Sequence, residues 1–176
     1  MKKNIFYPIA EPDLTNLERE ALIDAFDSGW ISSIGKYINE FENNFAKFCD
    51  CKYAIAVSNG TSALHLGLIS LGIGKGDEVI IPSLTFVATA SAVIHCGATP
   101  VFVDSEPFFG TICPLSIKKA VTKKTKAIIA VHLYGHPAEM DTINDIAKNI
   151  GYKQQYSSLP GAYSSEVFPS VKRRSL

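Results

Sequence analysis

Apolar side chains recur at three- and four-residue spacing through the first fifty residues, which is the spacing of helices. Asp13 is expected to cap a helix that ends near Asp27, with Gly29 as its stop signal. The apolar face of this helix carries Leu17, Ala21, Leu22, Ala25 and Phe26. A second helix is predicted from about Tyr37, with a stripe expected to face a core, made of Ile38, Phe41, Phe45 and Phe48.

From Tyr53 onward, short apolar runs alternate with helical segments. The predicted strands are Tyr53–Val57, Glu78–Ile81, Pro100–Val103 and Ala127–His132. The predicted helices are Thr61–Leu71, Thr85–Cys96, Pro114–Val121 and Glu139–Ile150. This alternation predicts an α/β fold with a largely parallel sheet and helices on both faces.

After Ile150 the sequence shows neither helical nor strand periodicity. Residues 151–176 are rich in serine and end in the basic run Lys172-Arg173-Arg174. We therefore expect one domain over residues 1–150, followed by a disordered tail over residues 151–176.

Composition narrows the class of protein. A length of 176 residues suits one domain, and 17 basic residues balance 17 acidic ones, so a nucleic-acid partner is not expected. The start, Met1–Pro8, lacks the long apolar stretch of a signal peptide. Val79–Val103 contains no charged residue, but Pro82, Gly97 and Pro100 interrupt it, so we expect no membrane span and a cytoplasmic location.

Cysteine and histidine spacings give no support for a metal site. No CxxC pair occurs among Cys49, Cys51, Cys96 and Cys113, and free thiols are expected. His132 and His136 have the spacing of helical metal ligands, but Gly135 and Pro137 argue against a helix there. We assign no metal ligand.

The segment Ser58–Ser62 lies between a predicted strand and a predicted helix. Amides at the helix N-terminus and the hydroxyls of Thr61 and Ser62 could converge on an anion such as phosphate. A helix cap at Ser58 or Asn59, with a turn at Gly60, explains the same residues. Both interpretations remain open at this point.

Phe86 follows Pro82 at the carboxyl end of a predicted strand. Open α/β sheets bind their ligands at that edge, so the Phe86 ring could stack on a flat ligand. Burial in a core is the alternative, since aromatic side chains are usually buried.

Six segments together resemble the DegT/DnrJ/EryC1/StrS family of pyridoxal-phosphate-dependent sugar aminotransferases. They lie between about Tyr7 and Ile150 and are Gly29–Gly35, Ser58–Leu66, Gly74–Ile80, Pro82–Thr89, Gly97–Asp104 and Val131–Gly135. The Trp30 segment, continuing through Gly35-Lys36-Tyr37, is especially similar to perosamine-synthase-like members, which aminate a nucleotide-linked 4-keto sugar.

The resemblance implies a fold-type-I large domain that binds pyridoxal 5'-phosphate. Its implied phosphate contacts are Gly60, Thr61 and Ser62, and its implied ring platform is Phe86. Trp30 and Ser32 are implied at the substrate edge of the cleft. The implied reactants are a nucleotide-linked keto sugar and an amino donor, in a homodimeric enzyme that supplies 4-amino sugars for surface polysaccharide or a related glycan.

Two catalytic residues of the family are not found in this sequence. Transamination in the family requires a Schiff-base lysine and an acidic residue that keeps the pyridine nitrogen protonated. Lys153 and Lys172 are the only lysines after Ile150, and neither has the surroundings of the family's lysine. We therefore assign no catalytic residue, expect the small C-terminal domain to be absent, and expect weak cofactor binding and an inactive single chain.

An alternative function is a non-catalytic module. Such a module would keep the phosphate-binding turn and pair with a separate C-terminal half or with a full-length paralogue. A neighbouring reading frame that encodes the missing lysine would favour this alternative.

The change of texture predicts that residues from about Asn149 or Gly151 onward are read out of the ancestral frame, because aperiodic sequence stands where the sheet needs a strand. Translating the other two frames of the gene from that point should recover a Val-Ile-Glu-Asp-like strand and, farther on, a lysine. If neither frame encodes them, a short binding module or a piece of a longer chain is the better explanation.

Overall fold

The computed structural model describes residues 11–149 and 164–169. The chain divides into two compact units, residues 1–56 and 57–176. The first unit contains helices α1 (Asn16–Asp27) and α2 (Lys36–Phe48). The second contains α3 (Gly60–Ser70), β1 (Glu78–Pro82), α4 (Val87–His95), β2 (Thr99–Val103), α5 (Pro114–Ala120), β3 (Thr125–His132), α6 (Met140–Asn149) and β4 (Ser164–Pro169).

Helix α1 begins with a capping box. The Leu17 N–H donates to Thr15 Oγ1 at 3.1 Å, while the Thr15 N–H donates to the Glu18 carboxylate at 2.7 Å. The expected cap at Asp13 is therefore wrong, because the reciprocal pair at Thr15 satisfies two backbone donors at once. The predicted stop is confirmed, since Gly29 follows α1 with φ of 72°.

The aromatic stripe on α2 does not face a core. Ala46 is the buried residue of this helix, whereas Phe41 and Phe48 are exposed. Phe41 instead stacks on Phe45, with ring centroids 5.3 Å apart. The predicted core-facing role is thus wrong for Phe41 and Phe48, because periodicity marks an apolar face but does not supply the layer that covers it.

Residues 53–57 form no strand, contrary to the prediction from their alternating pattern. The Ala56 N–H donates to the Glu42 carboxylate at 2.9 Å rather than to a neighbouring strand. Tyr53 is 75% exposed, and Ile55 is exposed as well. A strand exists only as part of a ladder, and none of the described residues pairs with this segment.

The sheet of the second unit has the strand order β2-β1-β3-β4. Strand β1 pairs in parallel with β2 and with β3, while β4 pairs antiparallel with β3. Residues 164–169 thus form a strand within the tail expected to be disordered. They pair there because the edge of β3 offers backbone groups that would otherwise lack partners. The rest of that tail, residues 150–163 and 170–176, lies outside the described residues.

Helices cover both faces of the sheet, as predicted. On one face, residues such as Val79 and Ile129 form a core with α3 and α4. On the other face, Ile80 and Ile128 form a second core with α5 and α6. Successive residues of β1 and β3 thus enter opposite cores, and this burial on two sides is typical of parallel strands.

The loops after β1, β2 and β3 meet at Gly110. This residue has φ of +71°, and a Cβ added to it would lie 3.2 Å from both Leu84 Cδ2 and Leu133 Cδ2. Leu84 belongs to the loop after β1, and Leu133 directly follows β3. Only glycine suits both the backbone conformation and the space at this position.

Gly110→Ala should lower the free energy of unfolding by about 1–3 kcal/mol, since an L-residue with this φ costs about 1–2 kcal/mol and the added methyl group meets two leucines. Denaturant unfolding would measure the change. Gly67→Ala is the matched control, because Gly67 lies inside α3 with no atom within 4 Å of an added Cβ. The control should be neutral or up to about 1 kcal/mol more stable. Equal losses in both variants would contradict the packing described at Gly110.

Candidate functional site

The carboxyl ends of the three parallel strands lie at one edge of the sheet, and their loops converge there around Gly110. Helix α4 starts at this edge, because it follows β1. The segments that follow α3 and α4 are adjacent, since a Cβ on Gly74 would lie 3.7 Å from the Cys96 carbonyl oxygen. Helix α3 leads into the amino end of β1 and α4 follows its carboxyl end, and both pack on the same core, so the N-termini of both helices lie toward the carboxyl edge of the sheet.

The N-terminus of α3 is capped by Asn59. Its Oδ1 accepts the Ser62 N–H at 2.9 Å, and its carbonyl oxygen accepts the Ala63 N–H at 3.1 Å. The cap interpretation is therefore correct, but it occupies only part of the helix end. The amides of Gly60 and Thr61 lie in the first turn, where no intrahelical acceptor exists, and have no partner among the described residues.

Space for an anion remains beside these amides. A Cβ on Gly60 would have no atom within 4 Å, and Gly60 is exposed while Thr61 and Ser62 are half-buried. The Ser62 hydroxyl lies 3.3 Å from the Ser58 hydroxyl, whereas Thr61 Oγ1 has no partner among the described residues. Two amides, a hydroxyl and the positive end of an eleven-residue helix thus suit a phosphate.

Phe86 stands at the N-cap of α4 and is 68% exposed. A ring this open to solvent is not part of a core, so the alternative of core burial does not apply to Phe86. The backbone on either side is held in place, because the hydroxyls of Thr85 and the buried Thr89 share a hydrogen bond of 2.9 Å. A fixed backbone with an uncovered ring suits a side chain that packs on a planar ligand.

Trp30 and Ser32 belong to the first unit. Trp30 lines an open cavity of about 340 Å³ with Ile34, Lys36 and Tyr37, whereas Ser32 is not part of its lining. The candidate residues thus form two groups, with Gly60, Thr61, Ser62 and Phe86 in the second unit and Trp30 and Ser32 in the first.

A charged pair that sequence reasoning missed also lines this cavity. Asp24 accepts a 2.6 Å contact from Lys36 Nζ and a 2.8 Å hydrogen bond from the Tyr37 hydroxyl. The hydrogen bond from Lys36, followed by that from Tyr37, holds the pKa of Asp24 below its ordinary value. Asp24 in turn raises the pKa of Lys36 and of Tyr37. The spacing of Asp24 from Lys36 carries no signal of this pairing.

The other titratable groups of the described residues do not form a second site. Among the described residues, no group of three or more His, Cys, Asp or Glu side chains is placed to hold a metal ion. His132 Nδ1 accepts the Ala138 N–H at 2.9 Å, while the His136 ring stacks on Phe109. All four cysteines are free, and burial raises the pKa of the Cys96 thiol. No helix within the described ranges is long and apolar enough to span a membrane.

Known proteins resemble the chain in both sequence and fold. The model of the DegT/DnrJ/EryC1/StrS aminotransferase family matches residues 12–153. The GDP-perosamine synthase of Escherichia coli is 49% identical over 144 residues, which make up 82% of this chain and 40% of that protein. The dTDP-3-amino-3,4,6-trideoxy-alpha-D-glucose transaminase of Streptomyces venezuelae is 44% identical over 131 residues, 74% of this chain and 34% of that protein. A solved structure described as a sugar aminotransferase of Streptococcus pneumoniae, in its PLP form, superimposes with a TM-score of 0.77 at 33% identity and covers 82% of this chain and 36% of that one.

The likeness in fold defines the chain as part of the large domain of a fold-type-I aminotransferase. The chain belongs to the DegT/DnrJ/EryC1/StrS aminotransferase family, as its motifs indicated. It spans about 40% of the length of the GDP-perosamine synthase that it matches. The Streptococcus pneumoniae protein has been solved in both its PLP and its PMP form, which implies pyridoxal phosphate as the cofactor of the family.

Asp24→Asn should lower the pKa of Tyr37 toward its ordinary value of 10.0, because the carboxylate that accepts the phenolic hydrogen is lost. A titration of the assigned tyrosine ring signals by NMR would measure this shift. Asp27→Asn is the matched control on the same helix and should leave the Tyr37 titration unchanged. A Tyr37 pKa that does not respond to Asp24→Asn would show that the contact does not form in solution.

Proposed function

We propose that this chain is the cofactor-binding N-terminal part of an aminotransferase that acts on a nucleotide-linked keto sugar. The single observation that carries the proposal is the N-terminus of α3. Two amides and the Thr61 hydroxyl have no partner there among the described residues, at the end of the unit that also presents Phe86. Family membership adds the reaction class, whereas the fold by itself would not.

Gly60, Thr61 and Ser62 hold the phosphate group of pyridoxal 5'-phosphate in this proposal. The amides of Gly60 and Thr61 donate to phosphate oxygens, and the Thr61 hydroxyl adds a third donor. The Ser62 amide stays with its cap, so the contact of Ser62 with phosphate is through its hydroxyl. Because charge-assisted hydrogen bonds are the stronger kind, this end of the site supplies most of the affinity.

Phe86 supplies the face on which the pyridine ring packs. The ring is exposed and stands on a backbone fixed by the hydrogen bond between Thr85 and Thr89, so little order has to be gained on binding. When bound, the cofactor would carry the amino group from donor to sugar, and its ring would accept the electron pair of the carbon–hydrogen bond that breaks. The described residues bind and orient that ring, while the residues that move protons are proposed to lie in the part of the relatives that this chain does not span.

Trp30 and Ser32 are proposed to contact the sugar nucleotide. Aromatic side chains and hydroxyls are suited to sugar rings and bases, and Trp30 already lines a cavity with Tyr37 and Lys36. The names of the relatives support a nucleotide-linked amino sugar as the product, since one is a GDP-perosamine synthase and another a dTDP-amino-sugar transaminase. In the same proposal an amino donor supplies the amino group, and the amino sugar is used to build a surface polysaccharide or a related glycan.

A second candidate function is that of a module that pairs with a separate C-terminal half or with a full-length paralogue. Two exposed apolar features favour it. Leu17, Leu22 and Phe26 are uncovered on α1, and the alternating segment 53–57 has no strand partner among the described residues. Apolar patches and unpaired backbone of this kind mark surfaces that bind other chains, including the second subunit of a homodimer.

The 176-residue chain should bind pyridoxamine 5'-phosphate more tightly than pyridoxamine, because the phosphate contributes the contacts at α3. Fluorescence titration would measure both dissociation constants. Neither ligand has the aldehyde group of pyridoxal phosphate, which would react with surface lysines. Thr61→Ala should weaken the binding of pyridoxamine 5'-phosphate but not that of pyridoxamine. Thr61→Ser keeps the hydroxyl and should bind pyridoxamine 5'-phosphate as the wild type does. If the two ligands bind equally well, the proposed phosphate site is wrong.

Phe86→Ala should weaken pyridoxamine phosphate binding about two- to tenfold, which corresponds to a stacking contribution of about 0.5–1.5 kcal/mol. Its melting temperature should change little, since the ring is exposed. Phe48→Ala removes a similarly exposed ring from α2 and should leave binding unchanged.

After reduction with borohydride in the presence of pyridoxal phosphate, no single lysine should be labelled stoichiometrically. Such labelling, together with transamination, would show that the chain is active by itself.

A further inference from the structure

Tyr134 has a backbone conformation that its residue type does not favour. Its φ and ψ are 52° and 29°, in the left-handed region, and the following Gly135 also has positive φ. Asp50 is the other described non-glycine residue with positive φ. Aspartate tolerates this region because its short polar side chain bonds locally, whereas the bulky phenol of tyrosine gains no such bond.

The residues around Tyr134 hold this conformation from both sides. Leu133 is buried against the site of Gly110, and the His136 N–H donates to the Leu133 carbonyl at 3.0 Å. The His136 ring stacks on Phe109, with centroids 4.3 Å apart and planes 7° apart. The neighbours are thus fixed by packing and hydrogen bonds, so the turn stays left-handed despite the tyrosine.

The Tyr134 side chain takes little part in this packing, since it is 73% exposed. Glycine or asparagine would adopt the same backbone with less strain and would lose no core contact. Strained residues that the surrounding structure holds in place are concentrated at ligand sites. An exposed aromatic ring on a strained, well-anchored backbone is therefore suited to a contact outside this turn.

The position of Tyr134 in the fold bears on what that contact is. Tyr134 follows β3 and Phe86 follows β1, which are neighbouring parallel strands, so both rings stand at the carboxyl edge of the sheet. Leu84 and Leu133, close to these two aromatics in sequence, both pack toward Gly110. Two exposed rings thus lie on either side of the contact around Gly110, at the end of the unit where the amides of Gly60 and Thr61 have no partner among the described residues.

We propose that Tyr134 is a positioning residue whose ring forms a second aromatic contact for the planar ring of pyridoxal phosphate or pyridoxamine phosphate. This inference rests on the proposed function. Phe86 and Tyr134 together would restrict the tilt of the ligand ring while its phosphate is held at α3. The phenolic hydroxyl is not required for this role, which distinguishes it from a hydrogen-bonding one.

The test compares Tyr134→Asn and Tyr134→Phe in the full 176-residue chain, with pyridoxamine 5'-phosphate as the probe. Tyr134→Asn should weaken binding about five- to tenfold and reduce the circular dichroism induced in the bound ligand, while the melting temperature stays equal or rises. Tyr134→Phe should keep both the affinity, within about twofold, and the dichroism. A purely structural role would instead lower the melting temperature and leave the induced dichroism unchanged.

Tyr53→Asn is the matched control, because it makes the same change at a tyrosine of similar exposure. It should leave binding unchanged. The inference is overturned if Tyr134→Asn binds as tightly as the wild type, or if Tyr134→Phe loses as much affinity as Tyr134→Asn. If the wild type does not prefer pyridoxamine phosphate to pyridoxamine, the proposed function fails and the inference fails with it. A wild type that shows this preference, with unaffected Tyr134 variants, overturns the inference alone.

Discussion

Parallel pairing of β1 with β2 and β3 is the constraint on which the second unit depends. A parallel pair cannot be joined by a tight turn, so each connection must cross the sheet through a helix. Helices α4 and α5 make these crossings, and they cover opposite faces. The same constraint brings all three carboxyl ends to one edge, where the loops meet at Gly110. The location of the candidate site therefore follows from strand direction before any side chain is considered.

Much of this unit could be predicted from the sequence, because its signals are local. The runs Val79-Ile80-Ile81 and Ile128-Ile129 are short, apolar and β-branched, and strands buried on both faces need such residues. Helices α3 to α6 lie within about two residues of their predicted bounds, with the predicted last residue, Ile150, outside the described residues. Gly72 and Gly97, which end α3 and α4, both have positive φ.

Predictions failed where the outcome depends on a partner that local sequence does not specify. The alternation at 53–57 describes a strand, but a strand needs a neighbour to pair with. Phe41 and Phe48 mark an apolar face, yet nothing in α2 determines what covers it. At α1, Asp13 and Thr15 both suit a cap, and the choice depended on Glu18 being three residues after Thr15. The left-handed backbone of Tyr134 has no local signal either, because tyrosine disfavours it.

The cap and anion interpretations of Ser58–Ser62 are compatible, and this bears on how the candidate site would bind an anion. An α-helix leaves four N-terminal amides without intrahelical partners, and one side chain can satisfy only one or two of them. Asn59 binds the Ser62 amide and so fixes the first turn, while the amides of Gly60 and Thr61 have no partner in the part of the chain that the structure describes. The donors are therefore in position before any ligand arrives, and binding need not order them. A good cap residue directly before Gly-Thr-Ser is thus compatible with an anion site. The cap by itself is no argument against anion binding at the same helix end.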